Sequence, residues 1–386
     1  MLATKRSFPF APSAAANGSR RTGTVAVTFI ASGLLKAIDP LGTQYKLQDY
    51  LAAWGMTEVV PDWLTLAAAI ALAAFEFCAG IFLLFAIQRR VTSRLVLAFM
   101  VVMTPLTLWL AITNPISDCG CFGDAITLTN WQTFFKNVLL LAAAVIVARK
   151  PLQMRRFIPK KWQWVIINTA LLSIVVLAAY SLYYLPVIDF RPYHVGADIR
   201  KGMEIPAGAA KPQFETTFIL EKDGVQKEFT LDNYPDSTWT FVDSKTIQTQ
   251  AGYEPPIHDF SITLNETDED ITDSVLKDKG LTFLLVAPYL EKADDTNFSE
   301  INSIHEYAED NGHRFYCLTA SGREAISHWR DITGAEYPFC TTDATTLKTI
   351  IRSNPGLVLL KGGIVIGKWS HNALPQQYME APAQAP

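Results

Sequence analysis

The first half of the chain is written in long apolar runs with short polar breaks, and the second half in short alternating or mixed segments. Five apolar runs stand out, at residues 22–38, 63–87, 92–113, 131–148 and 162–184. Each approaches the roughly 17–25 residues that one helical crossing of a bilayer needs. The first run is the weakest, and its alternative reading is the h-region of a signal peptide; "KAIDPLG" offers it no small-x-small cleavage site. The pattern predicts a bundle of five membrane-spanning helices.

Beyond residue 188 the period changes. "PVIDFRPYHVGADIRKGMEIPAGAAKP" reads as a Pro/Gly-rich linker lying along the membrane. "FETTFILEKDGVQKEFTLDN" alternates around an Asp-Gly turn and predicts a β-hairpin, with "TWTFVDSKTIQTQ" as a further strand. From Leu281 strand-like and helix-like segments alternate, ending in two strands across a Gly-Gly turn. That order predicts an α/β layer with some parallel strands. The expected boundaries are a cytoplasmic tail at 1–21, a four-helix membrane unit at 22–150, and a basic loop with the fifth helix at 151–188. A linker with a β-rich segment follows at 189–255, then an α/β domain at 256–375 and a disordered tail at 376–386.

Charge divides the chain at the same place. Through Ile188 there are 16 Lys and Arg against 7 Asp and Glu, and from Asp189 onward 17 against 30. Within the membrane half, the tail before the first run and the breaks after the second and fourth, with Arg94 at the start of the third run, hold 13 basic residues and no acid. The other two breaks, 39–62 and 114–130, hold six acids and one Lys. The positive-inside rule then places the N-terminus in the cytoplasm and the acidic half outside, in a multi-pass inner-membrane protein with a periplasmic domain. No basic stripe invites nucleic acid, so lipid and a periplasmic client or redox partner are the expected contacts.

Against this background "NPISDCGCFGDA" carries two of the five cysteines, Cys119 and Cys121, in an outer break. Asn114-Pro115 ends the preceding helix, Thr129 or Asn130 offers the next N-cap, and Gly120 lets the chain fold sharply enough to bring the sulfurs together. Three chemistries fit: a redox-active pair, a structural clip, or thiolate ligands for a soft metal such as Cu(I), which would need further sulfurs. A disulfide closing so small a ring belongs to the oxidising, labile kind. Asp118 and Asp124 flank the pair and would raise its thiol pKa values unless a cation offsets them.

Ionisable residues inside apolar runs carry a functional default, because lipid burial is costly. Glu76, Lys136 and Asn137 lie inside runs, whereas Lys36 and Asp39 close the first one. Depth counted at about 1.5 Å per residue favours Glu76–Lys136 as the buried pair, with Asn137 beside it and Lys36 snorkelling to the surface. An interhelical polar clasp is the alternative to a proton relay.

"SGLLKAIDPLGT", "FEFCAG" and "DCGCFGDAITLTNWQTFFKN" together resemble the DoxX-like superfamily, and within it the MauE (methylamine-utilisation) branch, over about residues 22–150. The resemblance implies a four-helix unit with an envelope redox role alongside thioredoxin-like partners, and points to Cys119, Cys121, Glu76, Lys136 and Asn137. Residues 256–375 resemble a thioredoxin-like domain, in which Pro355 matches the cis-proline. The place for its C-x-x-C reads "APYLEKADD", without cysteine, so dithiol exchange at the usual site is not expected. Cys317 and Cys340 fall on neighbouring predicted strands and form a candidate secondary disulfide. His305, His313, His328 and His371 have no metal spacing and are expected at the surface.

Two functions follow. One is a membrane thiol-disulfide oxidoreductase that works through Cys119 and Cys121, with the outer domain binding the client and a quinone as candidate electron acceptor. The other is a non-catalytic envelope scaffold in which C-x-C staples a loop.

Overall fold

The computed structural model describes residues 14–375 apart from 58, 117–118, 155, 211–212, 223–224, 231–232, 234, 236–237 and 251. The Asp-Gly turn, Asp118 and the tail expected at 376–386 therefore lie outside the described residues.

The membrane half is built from α1 (Ala14–Ile38), α2 (Pro40–Ala53), α3 (Asp62–Leu84), α4 (Arg89–Thr113), α5 (Asn130–Arg149) and α6 (Gln163–Tyr183). Among the described residues four helices are long and apolar enough to cross a membrane, and a bent pair made of α1 and α2 brings the number to five. The chain is a multi-pass membrane protein. The bend, 97°, follows from local chemistry. Pro40 lacks the N–H that would continue α1 and is tolerated in the first turn of α2. Asp39 caps α2 by accepting from the N–H of Gly42 at 2.9 Å. The break at 39–62, expected as a loop, is thus largely helical.

Small residues set how closely α1 and α3 approach. A Cβ added at Gly33 would fall 2.6 Å from the carbonyl of Ala73, and one at Gly80 would fall 2.7 Å from that of Ala26. Close approach through small residues is how helices pack where lipid supplies no hydrophobic drive. Val25, Phe29, Leu83, Met100, Leu140 and Ala144 fill the space between α1, α3, α4 and α5. Ile174 and Ala178 of α6 pack onto Ala37 and Ala73.

The remainder holds α7 (Ile199–Met203) and two sheets. Strands β1 (Gln213–Lys222), β2 (Val225–Thr230) and β3 (Thr240–Gln250) form an antiparallel sheet in the order β2-β1-β3. The larger sheet joins β4 (Thr263–Leu264), β5 (Leu281–Val286), β6 (Arg314–Thr319), β7 (Phe339–Thr341), β8 (Gly356–Lys361) and β9 (Ile364–Ser370) in the order β4-β7-β6-β5-β8-β9. Pairs β5–β6 and β6–β7 are parallel, and β5–β8 and β8–β9 antiparallel. Helices α8 (Thr272–Lys277), α9 (Phe298–Asp310), α10 (Arg323–Thr333) and α11 (Ala344–Ile350) complete this unit. β5 is buried along its whole length, as a central strand covered on both faces must be. Leu284 and Val286 enter one apolar layer, Phe283 and Leu285 the other.

The stretch expected to hug the membrane is instead part of this unit. Tyr193 and Ile199 join its core, and Asp189 binds Arg191 at 2.7 Å and Lys368 at 2.6 Å.

Candidate functional site

The segment between α4 and α5 is fixed at both ends. Asn114 closes α4 in the left-handed conformation, and Thr129 opens α5 with a capping box formed with Gln132. Asn130 donates to Asn114 Oδ1 at 2.8 Å and to the carbonyl of Ile116 at 2.7 Å, tying the two ends together. Between them Gly120 takes φ +62°, and a Cβ there would meet the side chain of Lys46 at 2.9 Å. Conformation and space both require glycine.

The sulfurs of Cys119 and Cys121 lie 2.6 Å apart. Cys119 is buried and also lies 3.4 Å from the Thr133 hydroxyl. The hydrogen bond with Cys121 lowers the Cys119 thiol to about 6 against the cost of burial, helped by Thr133 and by the positive charge of Lys136. The hydrogen bond with Cys119 and burial push the Cys121 thiol up. Cys119 is thus the more acidic thiol of the pair.

The loop is held through its backbone. Lys36 Nζ donates to the Cys121 carbonyl at 2.7 Å, to Glu76 Oε2 at 2.8 Å and to Ser32 Oγ at 2.6 Å. Ser32 donates to the same carbonyl at 2.7 Å, and Tyr50 donates to that of Cys119 at 2.7 Å. All three ammonium hydrogens of Lys36 are thus directed, which a buried ammonium requires. Lys36 and Glu76 come together because they flank the glycine crossings: Lys36 lies one turn beyond Gly33, and Glu76 one turn before Gly80.

This corrects the expected pairing. Glu76 binds Lys36, whereas Lys136 stands 4.4 Å over the Phe122 ring. Depth counted along the first run puts its end at a membrane surface. The turn into α2 folds chain back over that end, so Lys36 is buried rather than snorkelling. Lys136, Asn137 and Glu76 share the lining of a small cavity with Cys121 and Phe122, and Asn137 donates to Thr107 Oγ1 at 3.2 Å.

Asp39 belongs to a different contact. Arg352 Nη2 lies 2.9 Å from Asp39 Oδ2 and 3.2 Å from Asp124 Oδ2, so one guanidinium from the sheet half grips both α2's cap and the cysteine loop. Those two carboxylates hold Arg352 above its usual range against burial. Lys292 binds Asp62 at 2.6 Å, and Ser370 donates to the Tyr183 carbonyl at 2.9 Å. The sheet half thus sits on the bundle end that carries the cysteines. Asp124, expected to press on the thiols, instead faces Arg352.

The Asn354–Pro355 peptide beside Arg352 is cis. Cys317 and Cys340 are free and enter opposite apolar layers, so they form no disulfide. In the β6–β7 register Cys340 faces Leu318, one residue off, and a one-residue offset sends side chains to opposite faces. His305 is buried between Phe315 and Tyr337 rather than at the surface. Among the described residues no group of three or more His, Cys, Asp or Glu could hold a metal ion. Arg352, Ser32 and Tyr50 were not anticipated. Ser32 was within reach, since it lies one helical turn before Lys36.

Residues 21–149 match the family of methylamine utilisation protein MauE. The helical part is MauE-like. Residues 214–251, which cover most of the three-stranded sheet, match a domain of unknown function. No curated protein matches the chain. A solution structure of a protein disulfide isomerase candidate from Bacteroides thetaiotaomicron aligns at 17% identity and a TM-score of 0.26, over 32% of this chain and 80% of that one.

Proposed function

We propose that the protein is a thiol-disulfide oxidoreductase of the inner membrane, acting at the periplasmic face through Cys119 and Cys121. The observation that carries this reading is the sulfur pair itself: two free cysteine sulfurs lie 2.6 Å apart, in a loop already pinned by Ser32, Lys36 and Tyr50. A loop so held has no need of a disulfide staple, which counts against the scaffold reading. Basic residues at the far end of the bundle and acids at the cysteine end support the orientation.

In exchange, the Cys119 thiolate attacks a client disulfide sulfur and expels one client thiolate. Cys121, once deprotonated, attacks Cys119 Sγ in the mixed disulfide, closing the loop disulfide and releasing the second client thiolate. The reverse sequence oxidises a client dithiol. The α/β half, read as a thioredoxin-like domain without its cysteines, presents the client. Support comes from the sheet order, from Arg352 of this half reaching Asp124 of the cysteine loop, and from a cleft of about 860 Å³ between this half and α2.

Thiol trapping in intact membranes across graded redox buffers tests this. Reversible titration of the pair near envelope poise, with a mixed disulfide trapped in Cys121→Ser, is expected. A pair that stays oxidised until strongly reducing conditions would make C-x-C a clip and return the scaffold.

A further inference from the structure

The two sulfurs do not line the water-facing cleft. Cys119, Gly120 and Cys121 instead form one wall of a separate cavity of about 320 Å³, enclosed by α2, α3 and α4. Its other walls are apolar, including Leu51, Trp54, Leu64, Leu72, Met103 and Leu106. The polar lining gathers toward the cysteine wall, where Lys36 and Glu76 meet the loop. Leu64 is 43% exposed and Ala68 is exposed on α3, a span-length helix, so the cavity opens on the lipid-facing side. Helix α2 separates it from the client cleft, with Lys46 and Leu51 lining both.

We propose that this cavity seats the ring of a lipid-soluble quinone, which takes two electrons from the Cys119–Cys121 dithiol. The inference rests on the thiol-exchange reading and supplies its electron acceptor. Ligand pockets of roughly 300–1,000 Å³ with apolar walls and a few placed polar groups suit small organic rings. Entry from lipid, an apolar wall and a dithiol at the inner end together select an apolar two-electron oxidant. The Sγ–Sγ bond forms as two electrons pass to the quinone. The Cys121 thiol gives up one proton, and the second, already lost by Cys119 to water, is taken back from water to complete the quinol. Thiols, electrons and protons balance without a further reactant.

Two measurements on the detergent-purified full chain test the proposal, with decylubiquinone as the probe. The first is quenching of tryptophan fluorescence in the Cys119→Ser/Cys121→Ser protein, which cannot exchange thiols but keeps the cavity. Saturable quenching is expected, smaller in Trp54→Phe because Trp54 lines the site, and weakened about tenfold, close to 1.4 kcal/mol, when Ala68→Phe narrows it. The second is oxidation of the native dithiol, where one quinol per loop disulfide is expected. Quenching that does not saturate, or that is unmoved by Ala68→Phe, overturns the proposal. So does equal competition by decanol, which would make the cavity a seat for an acyl chain. Saturable binding with a pair that never titrates would instead sink the exchange reading and leave the binding site standing.

Discussion

Lys36 and Glu76, forty residues apart, meet 2.8 Å from one another with both side chains buried, and the same ammonium holds the Cys121 carbonyl. Removing one partner of such a pair strands a charge, at a cost of about 3–5 kcal/mol. Lys36→Met is therefore expected to destabilise the bundle on that order and to loosen the cysteine loop. Glu76→Gln should cost less, because the amide keeps an acceptor for Lys36. Lys136→Met should cost least, since Lys136 rests on Phe122 rather than on a carboxylate. Thermal unfolding of the three variants in detergent gives the order, and a loss from Lys136→Met equal to that from Lys36→Met would contradict the pairing.

The close pairing of the two sulfurs makes reactivity pH-dependent. Alkylation of Cys119 is expected to rise through pH about 6 and then level, whereas an ordinary cysteine rises near about 8.5. Cys121→Ala removes the hydrogen-bond partner and should move the midpoint upward. The sign for stability follows the same shift. The depressed Cys119 thiol favours the folded loop increasingly as pH rises from about 6 toward the unfolded value of about 8.5, and above that value the raised Cys121 thiol works against it. Iodoacetamide rates from pH 5 to 9, followed by mass spectrometry, would read the midpoint directly. A midpoint near 8.5 in the native chain would remove the thiolate from the mechanism.

Much of this was legible from residue order alone. Apolar runs long enough to cross a bilayer announced the helices, and the paired cysteines, Asn114-Pro115 and Thr129 marked the loop. The burial of Lys36 departs from that pattern for a definite reason. Depth counted along a run assumes that the run ends at water, and the turn at Asp39-Pro40 breaks that assumption by folding α2 back over the end. Arg352 was illegible for a different reason: its partners, Asp39 and Asp124, lie in the other half of the chain, and no local period announces a contact of that range. The register of β6 against β7 is likewise tertiary information, and one residue of it decides whether Cys317 and Cys340 can meet.

That register gives a third expectation. Cys317 and Cys340 occupy opposite layers as free thiols, and burial pushes both up, Cys340 to about 12. Neither should react with a thiol tag in the native chain at neutral pH, and both should react after denaturation without reductant. Cys317→Ala is expected to cost on the order of 1–2 kcal/mol through the lost sulfur volume, with no change in how the Cys119–Cys121 pair titrates. A tag pattern that changes only on adding reductant would instead show them bonded.

The guanidinium of Arg352 joins the two halves at the cysteine loop, and its removal should be felt on both sides. Arg352→Ala leaves Asp39 and Asp124 without their shared cation, an effect on the order of 3 kcal/mol for a pair this buried. Arg352→Lys should recover only part of it, because a point charge cannot present two planar N–H groups to Asp39 while also reaching Asp124. Gly42→Ala tests the same contact from the membrane side. A methyl there would collide with the Asp39 carboxylate and the Arg352 side chain, so it should imitate Arg352→Ala without altering any charge. Amide hydrogen exchange is the measurement. Faster exchange is expected in the first turn of α2 and in residues 122–127 for all three variants, with β5 to β9 unchanged. Acceleration spread evenly over the large sheet would mean that Arg352 stabilises its own domain and does not hold it to the loop.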